Sequence, residues 1–220
     1  AVRREAKGVV SLYISGRRLA ELRGEAGQFF LWRFLSGGGW ARAHPFSLSA
    51  CPNGRFLRIT VKDLGDDSHR MQRLRRGTRV FAEGPYGTFT ASRRTRRRVA
   101  LIAGGIGITP LRALLDTLPG EPGDLTLLYR VATKADVAFT TELAALVDKR
   151  GVDVRVLVGT AIGDDETDHL GVPALRTHIP DITERDVYVC GPPAMLDAVR
   201  RRLKQLGVPR DQVHFERFEF

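Results

Sequence analysis

Cysteine is nearly missing from this chain of 220 residues, which holds only Cys51 and Cys190. Two thiols cannot furnish a four-thiolate zinc site or the C-x4-C-x2-C loop of an iron–sulfur cluster. One disulfide is feasible in principle, yet two lone cysteines fit a reducing compartment better. Long apolar runs are also missing: no 18 consecutive apolar residues occur, so no segment here reads as a membrane-spanning helix. The first thirty residues carry charges throughout and lack the apolar stretch of a secretory leader. Opening on Ala1 rather than Met fits a processed or excised chain. What is present is ordinary: 43% hydrophobic and 27% charged residues, 23 glycines and 11 prolines. Those proportions exclude a disordered tail, a collagen and a coiled coil, and the length allows one large or two small domains.

Charge is unbalanced, with 35 basic against 25 acidic residues and a net charge of +10. Arginine supplies most of the excess, at Arg93–Arg98, Arg73–Arg76 and Arg200–Arg202. Such a surplus suits nucleic acid, an anionic lipid surface or an acidic protein partner, or simply forms a solvated surface. The clusters have no interleaved aromatics on which bases would stack, which argues against nucleic acid.

The first ninety residues read as short strands, at Val9–Ile14, Phe29–Leu35, Leu57–Val61 and Arg79–Glu83. Turn formers separate them at Gly16-Arg17, Ser36–Gly39, Pro52–Gly54 and Gly84–Gly87. One helix is expected from Ser68 to Arg75, with Ser68 as its N-cap. This pattern predicts a small antiparallel barrel. After the arginine run, strands at Arg98–Ala103, Leu125–Arg130, Asp153–Val158 and Val187–Cys190 alternate with helices. The helices begin near Thr109-Pro110 and cover Thr141–Lys149 and Pro193–Leu206. Alternation of that kind predicts a Rossmann-like parallel sheet. The expected fold is therefore β plus α/β, with domains at 1–96 and 97–220.

Chemistry concentrates at the strand ends. Ala103 to Pro110 (A-G-G-I-G-I-T-P) stands between a strand and a helix. Glycines allow a sharp turn and close approach to a pyrophosphate, which the helix start attracts. The spacing differs from G-x-G-x-x-G, since proline stands in place of the third glycine, and a packing role alone would also explain a glycine turn. Cys190-Gly191-Pro192-Pro193 follows the last long strand, where open α/β sheets place their ligand crevice. Cys190 is either a small soft group beside a reacting carbon or an inert buried thiol. In the first half, His44-Pro45-Phe46-Ser47 sets an aromatic and a hydroxyl on a strand, suited to a flat ring system or to core and turn.

In order and spacing these segments resemble the ferredoxin–NADP reductase superfamily, over nearly the whole chain. Gly27-Gln28-Phe29 is similar to its P-G-Q-F strand start, with Ala26 in place of proline. His44–Ser47 resembles its flavin motif, Gly84–Gly87 the turn closing the flavin barrel, and Gly104–Pro110 and Cys190–Pro193 its pyridine-nucleotide motifs. Most members carry R-x-Y-S where this chain has H-P-F-S, a variant similar to the dehydrogenase domains of ferric reductases and NADPH oxidases. Loss of the arginine leaves Lys62 and the helix start at Ser68 to hold the flavin pyrophosphate. Gly65-Asp66-Asp67-Ser68 departs from the family's G-x-[WF]-T.

The resemblance implies FAD on the barrel, with Phe46 against the isoalloxazine and Ser47 near its N5. It implies the pyrophosphate of NADPH or NADH on the turn that holds Gly105, Gly107 and Thr109. The nicotinamide would lie beside Cys190, Gly191 and Pro192, and hydride would pass to the flavin, which releases electrons singly. Arg130, at the end of the second Rossmann strand with Lys134 behind it, would favour the 2′-phosphate of NADPH. Glu216 would tune or relay at the flavin, or be a surface carboxylate. In V-H-F-E-R-F-E-F at the C-terminus, Phe218, or alternatively Phe220, would stack on the flavin. The implied acceptor is haem in a membrane domain on the cytoplasmic face, with basic patches near the lipid. The alternatives are a cytoplasmic reductase serving ferredoxin, flavodoxin or another acidic carrier, and a flavin-free binding module.

Overall fold

The computed structural model of the chain describes residues 1–17, 19–36, 42–159 and 168–217. Its first half is antiparallel. Strand β3 (Phe29–Phe34) buries Phe30, Trp32 and Phe34, while Phe29, Leu31 and Arg33 face outward. That is the two-residue period of a strand with one face on a core. It pairs with β4 (His44–Ser47) and β6 (Val80–Tyr86), while β2 (Val9–Ile14) pairs with β1 (Val2–Ala6) and β5 (Leu57–Lys62). A bridge between Leu48 and Ile59 ties the two three-stranded sheets around a core that includes Phe30, Trp32 and Ile59. A short helix, α1 (Asp66–Met71), follows β5.

The second half is parallel. It comprises β7 (Val99–Gly104), α2 (Ile108–Thr117), β8 (Leu125–Val131), α3 (Thr140–Arg150) and β9 (Asp153–Val158). Then come α4 (Val172–His178), β10 (Asp186–Gly191), α5 (Pro193–Gln205) and β11 (Val213–Arg217). The sheet order is β11-β10-β7-β8-β9. Strands β7, β8 and β10 are buried along their whole length, as a sheet covered on both faces requires. Along β7, Val99, Leu101 and Ala103 pack with α2 and α3, whereas Ala100 and Ile102 pack with α4 and α5. The chain runs from β7 outward to β9, then returns to the other side of β7 at β10. The crevice of such a sheet opens at that switch, at the carboxyl ends of β7 and β10.

Three expectations change. The helix after β5 begins at Asp66, so Ser68 lies inside it and is not its N-cap. Strand β1 and helix α4 were not anticipated. The run Arg93–Arg98 is not free basic surface over much of its length. Arg94 donates to the Pro119 carbonyl at 2.5 Å, Arg97 pairs with Asp124 at 3.0 Å, and Arg98 pairs with Asp181 at 2.8 Å. The amides of Thr95 and Arg96 both donate to the buried Asp186 carboxylate. The segment joining the two halves is thus stitched to the parallel sheet.

Candidate active site

Gly105, at φ +53°, turns the chain out of β7 in the left-handed region that favours glycine, and a Cβ there would meet open space. A Cβ on Gly107 would instead fall 2.3 Å from the Cys190 carbonyl oxygen, so the β7 and β10 turns close on each other only through glycine. Helix α2 starts directly after this turn, with its first amides unpaired within the helix and its positive end toward the crevice. Pro110 fits the first turn, where its missing N–H costs no helix bond. The Thr109 hydroxyl donates to the Ile106 carbonyl at 3.0 Å and so braces the turn.

Below this turn lies a cleft of about 540 Å³ shared by both halves. The barrel contributes His44, Pro45, Phe46 and Ser47 from β4, Thr60 and Lys62 from β5, and the start of α1 through Ser68. The parallel half contributes Ile106, Thr109 and Glu216. Eight residues singled out from sequence therefore meet in one cavity. Gly105 and Gly107 shape the adjoining turn, and Cys190, Gly191 and Pro192 form the neighbouring one without lining the cleft. Thr60 escaped notice, while Phe29 and Ile106 lay within segments singled out from sequence but were not named as site residues. The signal for Thr60 was its place two residues before Lys62, on the same strand face.

Ser47 is 4% exposed and its Oγ has no hydrogen-bond partner among the described residues. A buried hydroxyl without a partner costs about 1–3 kcal/mol, so this atom fits a ligand that supplies an acceptor or donor. Beside it Phe46 is half-buried, and its carbonyl is held by Trp32 Nε1 at 3.1 Å. The His44 ring lies 6.3 Å from that of Phe46, at 26°. Burial lowers the His44 pKa, opposed by Asp67, so the site disfavours a cation at His44. An aromatic plane beside an orphaned hydroxyl matches the isoalloxazine end of FAD.

The end of the cleft where the resemblance implied the flavin pyrophosphate is less cationic than expected. The Lys62 ammonium is 4.0 Å from Asp136 of the parallel half. The Ser68 hydroxyl accepts from the Leu64 amide at 2.7 Å and donates to the Gly65 carbonyl at 2.8 Å, so its proton is already used. Asp66 and Asp67 also line this end. Asp67 is held ionised below the usual carboxylate range, first by its hydrogen bond from Arg42.

Cys190 is fully buried, and burial followed by the neighbouring Glu216 pushes its thiol well above the ordinary range. It is a protonated, compact side chain rather than a nucleophile. Burial raises Glu216 to about 7. Arg130 does not line the cleft. It is 6% exposed, donates from Nε to the Gly159 carbonyl at 3.2 Å, and lies 3.6 Å from Asp168. Its guanidinium is engaged inside the fold, whereas Lys134 is exposed. Phe218 and Phe220 lie outside the described residues.

Residues 101–201 match the family described as the oxidoreductase NAD-binding domain. Ferredoxin–NADP reductase B of Sorangium cellulosum is 31% identical across 89% of this chain and 85% of that protein. A flavohemoprotein of Vibrio cholerae is 32% identical across 83% of this chain and 48% of that protein. The chain spans about half the length of several curated relatives it matches. Among solved structures, the flavohem-like FAD/NAD-binding domain of nitric oxide dioxygenase from Vibrio cholerae superposes with a TM-score of 0.82 at 27% identity. That superposition covers 99% of this chain and 95% of the other. With both halves of the fold, the shared cleft and these likenesses in agreement, the chain belongs to the ferredoxin–NADP reductase superfamily of FAD- and NAD(P)H-binding oxidoreductases.

Proposed function

We propose that this chain is the dehydrogenase part of an NADPH-dependent flavoprotein whose electrons leave singly to a haem acceptor outside these residues. The observation that carries the reading is the orphaned Ser47 hydroxyl, buried beside Phe46 in a cleft that the α2 turn overhangs. FAD, when bound, supplies the conversion of a two-electron donor into one-electron transfers. Ser47 would hydrogen-bond a ring nitrogen of the flavin, and Phe46 would pack on the ring. The turn of Gly105, Gly107 and Thr109 takes the nucleotide pyrophosphate on its amides. The turn of Cys190, Gly191 and Pro192, uncharged and exposed at Pro192, would adjoin the nicotinamide. No side chain need act as a general base; alignment and exclusion of water suffice.

Haem is favoured as acceptor by the likeness to a flavohemoprotein and by the H-P-F-S segment. A haem-bearing membrane domain, with this chain on its cytoplasmic face, agrees with the exposed Arg73, Arg75 and Arg76. The second reading, an acidic protein carrier, is supported by the likeness to a ferredoxin–NADP reductase and by the same basic surface. The test is anaerobic mixing of the FAD-loaded chain with NADPH, followed by a haem protein or a ferredoxin. Flavin bleaching within seconds, then one-electron reduction of the haem protein, is expected. A chain that takes up no FAD, or whose flavin NADPH leaves oxidised, would overturn the proposal.

A further inference from the structure

The parallel half is fastened to the barrel by a charge cluster that the cleft does not require. Along β5, Leu57, Ile59 and Val61 enter the barrel core, whereas Arg58, Thr60 and Lys62 share the opposite face. Thr60 and Lys62 line the cleft, but Arg58 reaches the other half of the molecule. Its guanidinium, on a residue 3% exposed, donates to Glu142 of α3 at 2.5 and 3.1 Å and lies 4.9 Å from the Phe139 ring. On its own side Ser49 holds it, through Oγ at 3.1 Å and through the backbone carbonyl.

Glu142 also pairs by charge with Arg112 of α2, whose Nε lies 2.7 Å away without hydrogen-bond geometry, and Arg112 in turn donates to Asp116 at 2.7 Å. Asp116 accepts from the Cys51 amide of the barrel at 3.3 Å. Helix α3 is thereby hydrogen-bonded to the barrel through Arg58 and α2 through the Cys51 amide, while charge links the two helices to each other. A planar guanidinium bonded to both oxygens of a carboxylate admits one orientation, whereas apolar packing alone allows sliding. Arg112 stands three residues beyond Thr109, so the same helix carries the clamp and one wall of the cleft. Phe139, just before α3, adopts φ +60°, an uncommon backbone state for a bulky residue, directly under the Arg58 cation.

We propose that Arg58 is a positioning residue for the reaction: through Glu142 and Arg112 it fixes where the first turn of α2 stands relative to Ser47. This rests on the proposed function. Misplacement of reacting groups by about 1 Å is worth roughly 100-fold in rate, and the clamp holds that spacing without touching either ligand.

Arg58→Gln and Glu142→Gln test it in the FAD-loaded chain. Each is expected to slow flavin reduction at saturating NADPH about tenfold or more, with KM changed less than about twofold. The double variant is expected to be no slower than the worse single one, because both remove the same bond. In the flavin-free chain, amide exchange at Leu143, which bonds to the Phe139 carbonyl, should accelerate in both variants while β3 stays protected. Reduction by both variants at the wild-type rate overturns the role of Arg58 while leaving the proposed function standing. Should Arg58→Gln fail to fold or lose FAD, Glu142→Gln decides: slow reduction upholds the clamp and normal reduction overturns it. A wild-type chain that NADPH does not reduce overturns both proposals.

Discussion

Cys190 and Glu216 stand opposite each other in register on the adjacent parallel strands β10 and β11, which brings a fully buried thiol beside a half-buried carboxyl. Burial raises the carboxyl from 4.5 to about 7. A carboxyl whose folded pKa lies above its unfolded one favours the fold while it stays protonated. That contribution is complete below about pH 4.5 and is lost as pH rises through about 7. Glu216 is partly solvated, so the loss is on the order of 1–2 kcal/mol rather than the full value of the shift. Glu216→Gln should therefore melt roughly 2–8 °C above the wild type at pH 8 and near it at pH 4.5. Scanning calorimetry of both proteins across that range checks the convergence.

Ser47→Ala separates stability from chemistry. Removing a buried hydroxyl that has no partner among the described residues should leave the flavin-free chain as stable as before, or up to about 1 kcal/mol more stable. In the FAD-loaded chain the proposed role of Ser47 implies that the same change removes a hydrogen bond beside the reacting ring. Flavin reduction by NADPH should slow about tenfold, equivalent to roughly 1.4 kcal/mol. Thermal melts without FAD and stopped-flow reduction with it read the two effects separately.

Much of this arrangement was legible because its signals are local. The buried runs of β7, β8 and β10 and the alternation in β3 reveal the two sheets, and the glycine turns mark the crevice. Strand β1 escaped because Val-Arg-Arg-Glu-Ala has no apolar face; it is an edge strand, where charge is tolerated. Helix α4 has seven residues and a proline in its first turn, too short for a periodic signal. Arg58 and Arg130 were beyond reach for another reason. Each is decided by a carboxylate distant in sequence, Glu142 for one and Asp168 for the other, and no spacing rule links them.

That distant partner changes what Arg130 is expected to do. Asp168 is fully buried and holds Arg202 at 2.7 Å as well as Arg130 at 3.6 Å. Arg130→Ala should cost stability, about 2–4 kcal/mol by weakening a buried ionic cluster, and should slow use of NADPH and NADH alike. The exposed Lys134 is the better candidate for the 2′-phosphate. Lys134→Ala should leave the melting temperature unchanged and lower the preference for NADPH over NADH about 5- to 30-fold, the worth of one charged contact. Ratios of kcat/KM for the two nucleotides in both variants distinguish these outcomes.

The acidic end of the cleft leads to an expectation about flavin retention. His44 stands where the family usually has arginine and burial disfavours its cation, and Lys62 shares its charge with Asp136. Asp67 is offset by Arg42 at 3.1 Å and Arg70 at 3.6 Å, but Asp66 has no ion pair among the described residues. One uncompensated carboxylate facing a pyrophosphate repels it by about 1 kcal/mol across a solvated gap of several ångströms. The purified chain should therefore arrive partly free of FAD and regain activity when FAD is added. Asp66→Asn should tighten FAD about 3- to 10-fold, and the gain should shrink as salt screens the repulsion. Flavin fluorescence titrations at low and high ionic strength measure both. An unchanged Kd in the variant, or wild-type FAD that survives prolonged dialysis, would show that the backbone around Gly65 outweighs the carboxylate.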